Sequence, residues 1–513
     1  MLARIVRNMV DRVDVLVVGG GCSGVAAAWQ AARAGASVLV LEESPWLGGM
    51  VTAAGVSALD GNEGALGSGF FRRFRDAIES HYGGAARVRT GWVSNTCFEP
   101  ATGARILARF VSETGAVVLF GARFREALVE GTRVVGARYE HDGEVREVRA
   151  HVVVEATDYG DVLLAAGVEH RFGRESRAQT LEPSAPEQPD LEVQDPTWVA
   201  ILRPDPSGRA KEIEPVPEHD PREFDGATSI LCSNPDPAHW NHGLHDWNSF
   251  ITYGALATSD GGTGKFMLNW PFHSNDFPID LAMYEPGPGR LDVFRRAKRR
   301  TLAFVRHMQR ELGHPEWGLW NEFGTPDALP FMPYVRESRR VVALETVGES
   351  EVVPRAGKAR PRLAPTSIAV GDYFLDHHHA KAHLPPGRRL VEDYPKNAPF
   401  QIPYGALVPR GHDGLLCAEK TIGSTHIANG CTRLQPVVMQ IGQAAGMAAA
   451  LCAQARCEPR ELNPTRLQEA LVREGSMLVP FRDVGCDDPR FEAEQLSYAR
   501  GTHSFDEDTP LAR

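Results

Sequence analysis

The chain has 513 residues, of which 42% are hydrophobic and 24% are charged, and it carries a formal net charge of −11. Its length predicts two to four domains, or one large domain with insertions, and its acidic balance disfavours nucleic-acid binding. The scattered cysteines, the lack of a signal-peptide pattern and the lack of an apolar stretch of about 20 residues predict a cytoplasmic protein with no membrane span and no metal site.

The first predicted unit is a strand, a glycine-rich turn and a helix. Residues 14–18, DVLVV, have the pattern of a buried parallel strand, and an alanine-rich segment follows the turn. The GxGxxG spacing of the turn permits a tight bend, close approach of the backbone to a pyrophosphate, and contact between helix and strand. The helix N-terminus offers unpaired N–H groups to the phosphates. The residues assigned to this phosphate loop are Gly19, Gly21, Cys22, Ser23 and Gly24.

A second predicted strand, residues 37–42, ends in an acid. Glu42 follows the last glycine of the loop by 18 residues, close to the interval of about 20 at which a carboxylate accepts hydrogen bonds from a ribose. The same carboxylate would repel a 2′-phosphate, which disfavours NADP. Because NAD and FAD share the adenosine diphosphate half, these residues leave both cofactors open.

The next elements predict a β-meander. Residues 104–161 contain a helix and then short strands, with turns at Gly121, Gly131 and Gly143. The segment ends in a buried strand, residues 151–157. Residues 60–100, before this segment, are interpreted as a helical excursion.

A long insertion, residues 171–400, precedes the return of the chain to the first domain. It opens with a proline- and acid-rich stretch, 180–196, that predicts a surface loop, and it contains a strongly amphipathic helix at 290–312. The chain returns with a strand at 414–418 and a long helix from Leu434. Small residues at helical spacing predict close packing of this helix: Gly442, Ala445, Gly446 and Ala449.

These blocks, in this order, resemble the FAD-dependent oxidoreductase family with a glutathione-reductase-type FAD domain. The resemblance rests on LGG at 47–49, EATDYGD at 155–161 and STHIANGCTRLQPVVMQIGQAAGMAAAL at 424–451. It implies FAD as the cofactor and an α/β fold: a Rossmann-type FAD-binding domain, a βαβ unit with GxGxxG and a β-meander, plus an inserted α+β substrate domain. The implied domains are 12–170 and 401–455 for FAD, 171–400 for substrate, and a C-terminal extension at 456–513.

The resemblance also implies further cofactor-binding residues. The LGG stretch would carry the chain along the extended FAD, and Ala156 and Thr157 match the family's ATG turn, with Asp158 in place of its glycine. Phe124 would lie near the adenine by analogy. The residues implied beyond the phosphate loop are Glu42, Glu43, Gly48, Gly49, Met50, Phe124, Ala156, Thr157, Asp161, Gly430 and Arg433.

Histidines supply the candidate groups for proton transfer. His378, in the run 377–379 that precedes His383, matches a recurrent histidine of the family, and His426 comes just before the flavin-directed helix. A base there could accept a hydroxyl or amine proton; a hydrogen bond to the flavin or a structural role are the alternatives. Arg336 is the third candidate, for an anionic substrate or for support of the flavin.

The favoured hypothesis is an FAD-dependent oxidoreductase that passes hydride from a small polar substrate, at C–OH or C–NH, to flavin N5. Residues 171–400 contain no second GxGxxG after a strand, which favours oxygen or an external carrier as the electron acceptor. The alternatives are an NAD(P)H-dependent flavin reductase or monooxygenase, and a non-catalytic flavoprotein. The oligomeric state stays open.

Overall fold

The computed structural model describes residues 11–61, 68–232, 243–260, 264–379, 394–480 and 484–503, and the candidate His383 lies outside them. The strands are β1 Arg12–Val18, β2 Val38–Glu42, β3 Val117–Phe120, β4 Arg123–Glu130, β5 Arg133–His141, β6 Glu144–Glu155, β7 His170–Arg171, β8 Ala200–Pro204, β9 Ile230–Cys232, β10 Gly243–His245, β11 Ala255–Leu256, β12 Lys265–Leu268, β13 Trp317–Leu319, β14 Arg340–Val341, β15 Ser367–Gly371, β16 Phe400–Pro403 and β17 Leu415–Cys417. The helices are α1 Cys22–Arg33, α2 Gly69–Tyr82, α3 Ala85–Val88, α4 Pro100–Ser112, α5 Asp161–Ala165, α6 Arg177–Thr180, α7 Trp247–Tyr253, α8 Pro288–Arg310, α9 Glu349–Val352, α10 His426–Thr432, α11 Gln435–Ala455, α12 Pro464–Arg473 and α13 Phe491–Ala499.

A parallel sheet in the order β3-β2-β1-β6-β17 forms the centre of the protein. Its inner strands are runs of valine and leucine because both faces of the sheet are covered. The twelve-residue β6 pairs with β1 through its second half and with β5 through its first half. Its first half therefore continues into the antiparallel β-meander β4-β5-β6.

Helices α1 and α11 pack closely on this sheet. A methyl group on Gly442 would lie 2.1 Å from the Ser23 carbonyl oxygen, and one on Gly446 would lie 2.1 Å from that of Ala27. The predicted small-residue face therefore serves packing between the two helices. Helix α11 is the one helix among the described residues with the length and apolar composition of a membrane span, and its apolar window is fully buried inside the protein.

The predicted insertion, residues 171–400, contains a second sheet that is separate from the central one. Its antiparallel sheet has the order β11-β12-β8-β13, and the 23-residue α8 packs over an aromatic core. That core includes Trp198, Phe250, Phe266, Trp270 and Phe304. The predicted α/β fold with an inserted α+β unit is confirmed, whereas the domain boundaries stay predictions.

The prediction of a surface loop at 180–196 is wrong for part of that segment. Glu182, Gln194 and Asp195 are buried. The Gln194 side-chain amide donates to the Asn429 side-chain oxygen at 2.7 Å, so this part of the segment makes polar contacts inside the protein. Composition indicated exposure because it cannot register hydrogen-bond partners that are distant in sequence.

Candidate functional site

Backbone contacts leave no room for a side chain at the first and third glycines of the phosphate loop. Gly19 has φ +98°, and a methyl group there would lie 2.4 Å from the Ala156 carbonyl oxygen. A methyl group on Gly24 would lie 1.9 Å from the Gly19 carbonyl oxygen. The loop is therefore held against the end of β6, and helix α1 is held against the loop.

The second glycine faces a buried carboxylate that the sequence analysis missed. A methyl group on Gly21 would lie 2.5 Å from Oε1 of Glu419, and the same oxygen accepts a hydrogen bond from the Ser23 backbone N–H at 3.3 Å. Burial raises the pKa of Glu419 to about 7, although the charge of Lys420 opposes this. An acid thus lies at the N-terminus of α1, where backbone N–H groups attract anions.

Glu419 Oε2 has no hydrogen-bond partner within the described part of the chain. The position of Glu419 just after β17 could have identified it as a candidate site residue, because ligands of parallel sheets bind beyond the carboxyl ends of the strands.

Glu42 lies beside the phosphate loop. Its carboxylate accepts hydrogen bonds from the backbone N–H groups of Gly20 and Ser44, both at 2.7 Å. Burial raises its pKa to about 7. The side chain of Glu43 is 62% exposed and lies 3.9 Å from Arg123. The half-buried Phe124 is the next residue along β4.

The LGG turn packs directly on the phosphate loop. The Gly48 N–H donates to the Gly20 carbonyl at 2.8 Å, and the Cys22 thiol donates to the Gly48 carbonyl at 3.2 Å. A methyl group on Gly49 would lie 2.8 Å from the Gly21 Cα. Met50, which follows, is buried. The structure therefore brings together the predicted residues from 19 to 24 and from 48 to 50.

Other predicted cofactor residues have protein partners. Thr157 lies in the turn after β6, where its hydroxyl accepts from the Asp161 backbone N–H at 3.0 Å. The Asp161 carboxylate forms a bidentate ion pair with Arg290 of α8, at 2.7 and 2.8 Å. A methyl group on Gly430 would lie 2.4 Å from the His377 ring. Asp161 therefore links the turn after β6 to α8, and the close contact at Gly430 brings α10 against the segment that contains His377.

His378 lies between two carboxylates. Its Nδ1 is 2.7 Å from Oδ2 of Asp276, and its Nε2 is 3.4 Å from Oδ2 of Asp376. Burial and the charge of Arg336 oppose protonation, but the two carboxylates outweigh them and raise the pKa of His378. Arg433 donates to Asp376 at 2.7 Å, immediately before α11 begins. Both ring nitrogens of His378 thus face carboxylates, an arrangement that favours the protonated ring over a free base.

Arg336 is completely buried. Its guanidinium donates to the Asp195 carbonyl at 2.6 Å and to the Thr197 hydroxyl at 2.8 Å, and it lies 3.3 Å from Asp276. It therefore fixes the carboxylate that holds His378.

One ring nitrogen of His426 contacts a carboxylate, and the other has no hydrogen-bond partner among the described residues. Its Nδ1 lies 3.0 and 2.9 Å from the two oxygens of Glu337, and an ionised Glu337 at this distance assigns the proton to Nδ1. Its buried Nε2 has no hydrogen-bond partner within the part of the chain that the structure describes. Burial, helped by the charge of Arg340, lowers the pKa of His426 well below its ordinary value, although the charge of Glu175 opposes this. The result is a neutral imidazole with a bare Nε2.

His426 lines a polar cavity of about 280 Å³. This volume is near the lower end of the range for small-molecule sites. The wall is formed mainly by the start of α10 and by the segment around α6. Its side chains include Arg174, Glu175, Glu182, Ser184 and Tyr394.

The phosphate loop and the acids around it fit an FAD molecule. Gly21 supplies no side chain at the N-terminus of α1, and Glu419 already accepts a hydrogen bond from the Ser23 N–H there, so this helix end accommodates an acidic group. The loop would hold the pyrophosphate, and Glu42 would hold the ribose. Groups of three or more metal-ligating side chains are absent from the described residues.

The sequence model of the family described as FAD dependent oxidoreductase matches residues 14–471. Digeranylgeranylglycerophospholipid reductase 1 of Methanopyrus kandleri is 36% identical over 174 residues, which span 31% of this chain and 41% of the relative. Thiamine thiazole synthase of Aeropyrum pernix is 32% identical over 163 residues, which span 30% of this chain and 57% of the relative. The chain thus covers less than two thirds of either relative.

Among solved structures, a geranylgeranyl bacteriochlorophyll reductase-like protein from Thermoplasma acidophilum is 11% identical, with 97% of this chain and 89% of that chain covered and a TM-score of 0.34. This similarity is too low to indicate an activity, and the glutathione-reductase-type subtype stays a prediction. The family match covers most of the chain. The chain therefore belongs to the FAD dependent oxidoreductase family, and FAD is its cofactor.

Proposed function

We propose that the protein oxidises a small polar substrate at a C–OH or C–NH group, with His426 as the general base. The observation that carries this proposal is the buried, partnerless Nε2 of His426 beside a polar cavity. When bound, FAD supplies the two-electron acceptor at flavin N5. Reoxidation of the reduced cofactor would require oxygen or an external carrier.

The Glu337–His426 pair supports the role of a base. A base must be unprotonated before the reaction, and the lowered pKa of His426 keeps Nε2 free at neutral pH. Once Nε2 has accepted a proton, the Glu337 carboxylate next to Nδ1 stabilises the charged ring. The same contact fixes the tautomer and the orientation of the imidazole.

One short helix connects His426 to the helix that is predicted to face the flavin. Helix α10 has seven residues, a length of about 10 Å, and only Arg433 and Leu434 separate it from α11. In the family arrangement predicted from the sequence, the positive N-terminus of α11 faces the flavin pyrimidine ring. His426 and the His378 cluster would thus lie at the two ends of α10.

His378 and Arg336 are better suited to charge stabilisation than to proton abstraction. Both nitrogens of His378 face carboxylates, and the terminal nitrogens of Arg336 contact protein acceptors. We assign His378 and Arg433 to a charged cluster near the start of α11. Arg336 positions Asp276 in that cluster.

An anaerobic screen of the purified holoenzyme tests the proposal. Sugars, polyols, amino acids and amines are added in turn, and bleaching of the oxidised flavin spectrum is followed. We expect bleaching by at least one compound, and a reduction rate that falls in His426→Gln without loss of bound FAD. Unchanged rates in this variant would remove His426 from the mechanism.

The relatives named as reductases make nicotinamide the second compound class to test. Rapid bleaching by NADPH or NADH without any other substrate would favour a flavin reductase or monooxygenase over the proposed reaction. Failure of every compound to reduce a flavin that dithionite reduces would favour a non-catalytic flavoprotein.

A further inference from the structure

We propose that Cys452 and Cys457 form a redox-modification site, at which a peroxide converts two neighbouring thiols into a disulfide. The site lies at the C-terminal end of α11, and it is independent of the proposed function. A helix-ending turn brings the two cysteines together, and their thiols are in contact.

The backbone at the end of α11 folds Cys457 back onto Cys452. Arg456 has the left-handed conformation, with φ +54°. The N–H groups of Arg456 and Cys457 both donate to the Cys452 carbonyl, the latter at 3.1 Å. A hydrogen bond that spans six residues in this way is a common means of ending a helix, and side chains near its two ends are frequently in contact. A disulfide needs such an approach, because its two Cα atoms are only about 4.4–6.8 Å apart.

The two side chains differ in exposure. The thiols of Cys452 and Cys457 share a hydrogen bond. Cys452 is completely buried, whereas Cys457 is half-buried. Burial, followed by the neighbouring Cys457, raises the pKa of the Cys452 thiol. Because oxidation follows exposure and thiolate character, Cys457 is the thiol that a small oxidant modifies first, and Cys452 is the thiol that resolves the intermediate.

The alternative is a packing role for the pair. An apolar contact between the same two positions frequently accompanies this kind of turn, and cysteine packs as a small apolar residue. The partly exposed thiol and the thiol–thiol contact favour redox chemistry instead. Cys431 shows the difference, because it is completely buried and its thiol donates to the Ala428 carbonyl at 3.4 Å.

Contacts with the central sheet hold the turn in place. His151 of β6 donates from Nε2 to the Cys457 carbonyl at 3.2 Å. The carboxylate of Glu458, the next residue, accepts from the Gly414 N–H at 2.8 Å and pairs with Arg133 of β5. The two thiols are therefore kept next to each other, which makes the second step of the reaction intramolecular and lowers its entropic cost.

The reaction balances with hydrogen peroxide as the oxidant. The sulfur of deprotonated Cys457 attacks one peroxide oxygen, an S–O bond forms, the O–O bond breaks, and the other oxygen leaves as hydroxide. The Cys452 sulfur then attacks the Cys457 sulfur, the S–S bond forms, and the S–O bond breaks with loss of a second hydroxide. The two hydroxides take up the two thiol protons. Two electrons pass from the sulfurs to the peroxide, and two water molecules are released.

Peptide mapping of the oxidised holoenzyme tests the proposal. The protein is treated with hydrogen peroxide at near-neutral pH, free thiols are alkylated in denaturant, and the chain is digested with trypsin. Cleavage after Arg456 places the two cysteines on separate peptides, 434–456 and 457–460. We expect the two alkylated peptides to be lost equally, with the gain of one disulfide-linked pair that dithiothreitol separates.

Cys486 is the internal reference for exposure. It is half-buried like Cys457, but its thiol contacts Arg72. If the two peptides stay alkylated at a peroxide concentration that oxidises Cys486, the pair has a packing role and the proposal is wrong. A disulfide from Cys457 to any cysteine other than Cys452 would also overturn it.

Two serine variants test the order of the steps. Cys452→Ser removes the resolving thiol, so we expect Cys457 to stop at the sulfenic acid and to be labelled by dimedone. Cys457→Ser should leave Cys452 unlabelled, and the control Cys486→Ser should form the linked peptide pair as the wild type does. Equal labelling of Cys452 and Cys457 in the two variants would contradict the assigned roles. If a serine variant does not fold, the peptide map of the wild-type protein decides.

Discussion

Two alanine substitutions in the phosphate loop separate folding from cofactor binding. At Gly21, a methyl group would meet only the carboxylate end of Glu419, at 2.5 Å, and the residue has φ −65°, which alanine adopts readily. At Gly24, a methyl group would lie 1.9 Å from the backbone oxygen of Gly19. A flexible side chain can rotate away from such a contact, whereas the backbone of a buried strand end cannot.

The expected magnitudes follow from these contacts. An ordinary Cβ contact begins at 3.4 Å, so Gly24→Ala must shift α1 by about 1.5 Å, which costs about 1–3 kcal/mol of overpacking. Gly21→Ala occupies the N-cap of α1 and costs the fold only about 0.5 kcal/mol. Its methyl group blocks the approach of the pyrophosphate. Loss of two charge-assisted hydrogen bonds, about 1.5 kcal/mol or more each, weakens FAD binding at least about 100-fold.

Urea unfolding of the FAD-free proteins and fluorescence titration with FAD measure the two effects. We expect Gly21→Ala to unfold near the wild-type midpoint and to bind FAD weakly, and Gly24→Ala to unfold at lower urea. Full FAD retention by a folded Gly21→Ala variant would refute the location of the pyrophosphate. Equal destabilisation by both variants would refute the argument from the contacts.

Three further predictions test other parts of the structure. His426→Gln should slow flavin reduction by about 100-fold or more with FAD content unchanged, as stopped-flow absorbance can check; a smaller effect on the rate than on FAD content would contradict the role of a base. The FAD-free protein should lose stability as the pH rises from about 4.5 through about 7, because the raised pKa of Glu42 means that the folded protein binds the proton more tightly than the unfolded chain. Thermal melts of Glu42→Gln at several pH values should show a shallower dependence of stability on pH. A dependence identical to that of the wild type would contradict this assignment. Lys420→Met should lower the free energy of unfolding by about 3–5 kcal/mol, because it leaves Asp158, its partner at 2.6 Å, buried without a cation; a loss below about 1 kcal/mol would show that the pair is not structurally important.

The parts of the fold that depend on local sequence were predictable. The strand, glycine loop and helix at 12–33 follow one another in the chain, so neighbouring residues alone indicate this unit. The long helix predicted at 290–312 is observed as Pro288–Arg310, because its apolar periodicity spans many turns. The small-residue face of α11 was also readable, since helical spacing alone places Gly442 and Gly446 on one side.

The parts of the site that depend on distant contacts were not predictable. Glu337 reaches His426 across 89 positions, and Asp276 reaches His378 across 102 positions, so no local spacing connects them. Glu182 lies in a segment whose composition indicated a surface loop. The sequence therefore named the histidines but could not show which one lies between two carboxylates and which one has a ring nitrogen without a partner among the described residues.

The identity and stoichiometry of the bound flavin test the central claim most directly. The purified protein is precipitated with acid, and the supernatant is analysed by chromatography against FAD and FMN standards. The structure predicts FAD in the supernatant at close to one equivalent per chain, bound through the loop at Gly21 and beside Glu42. A folded protein that contains no flavin, and takes up none when FAD is supplied, would contradict the account.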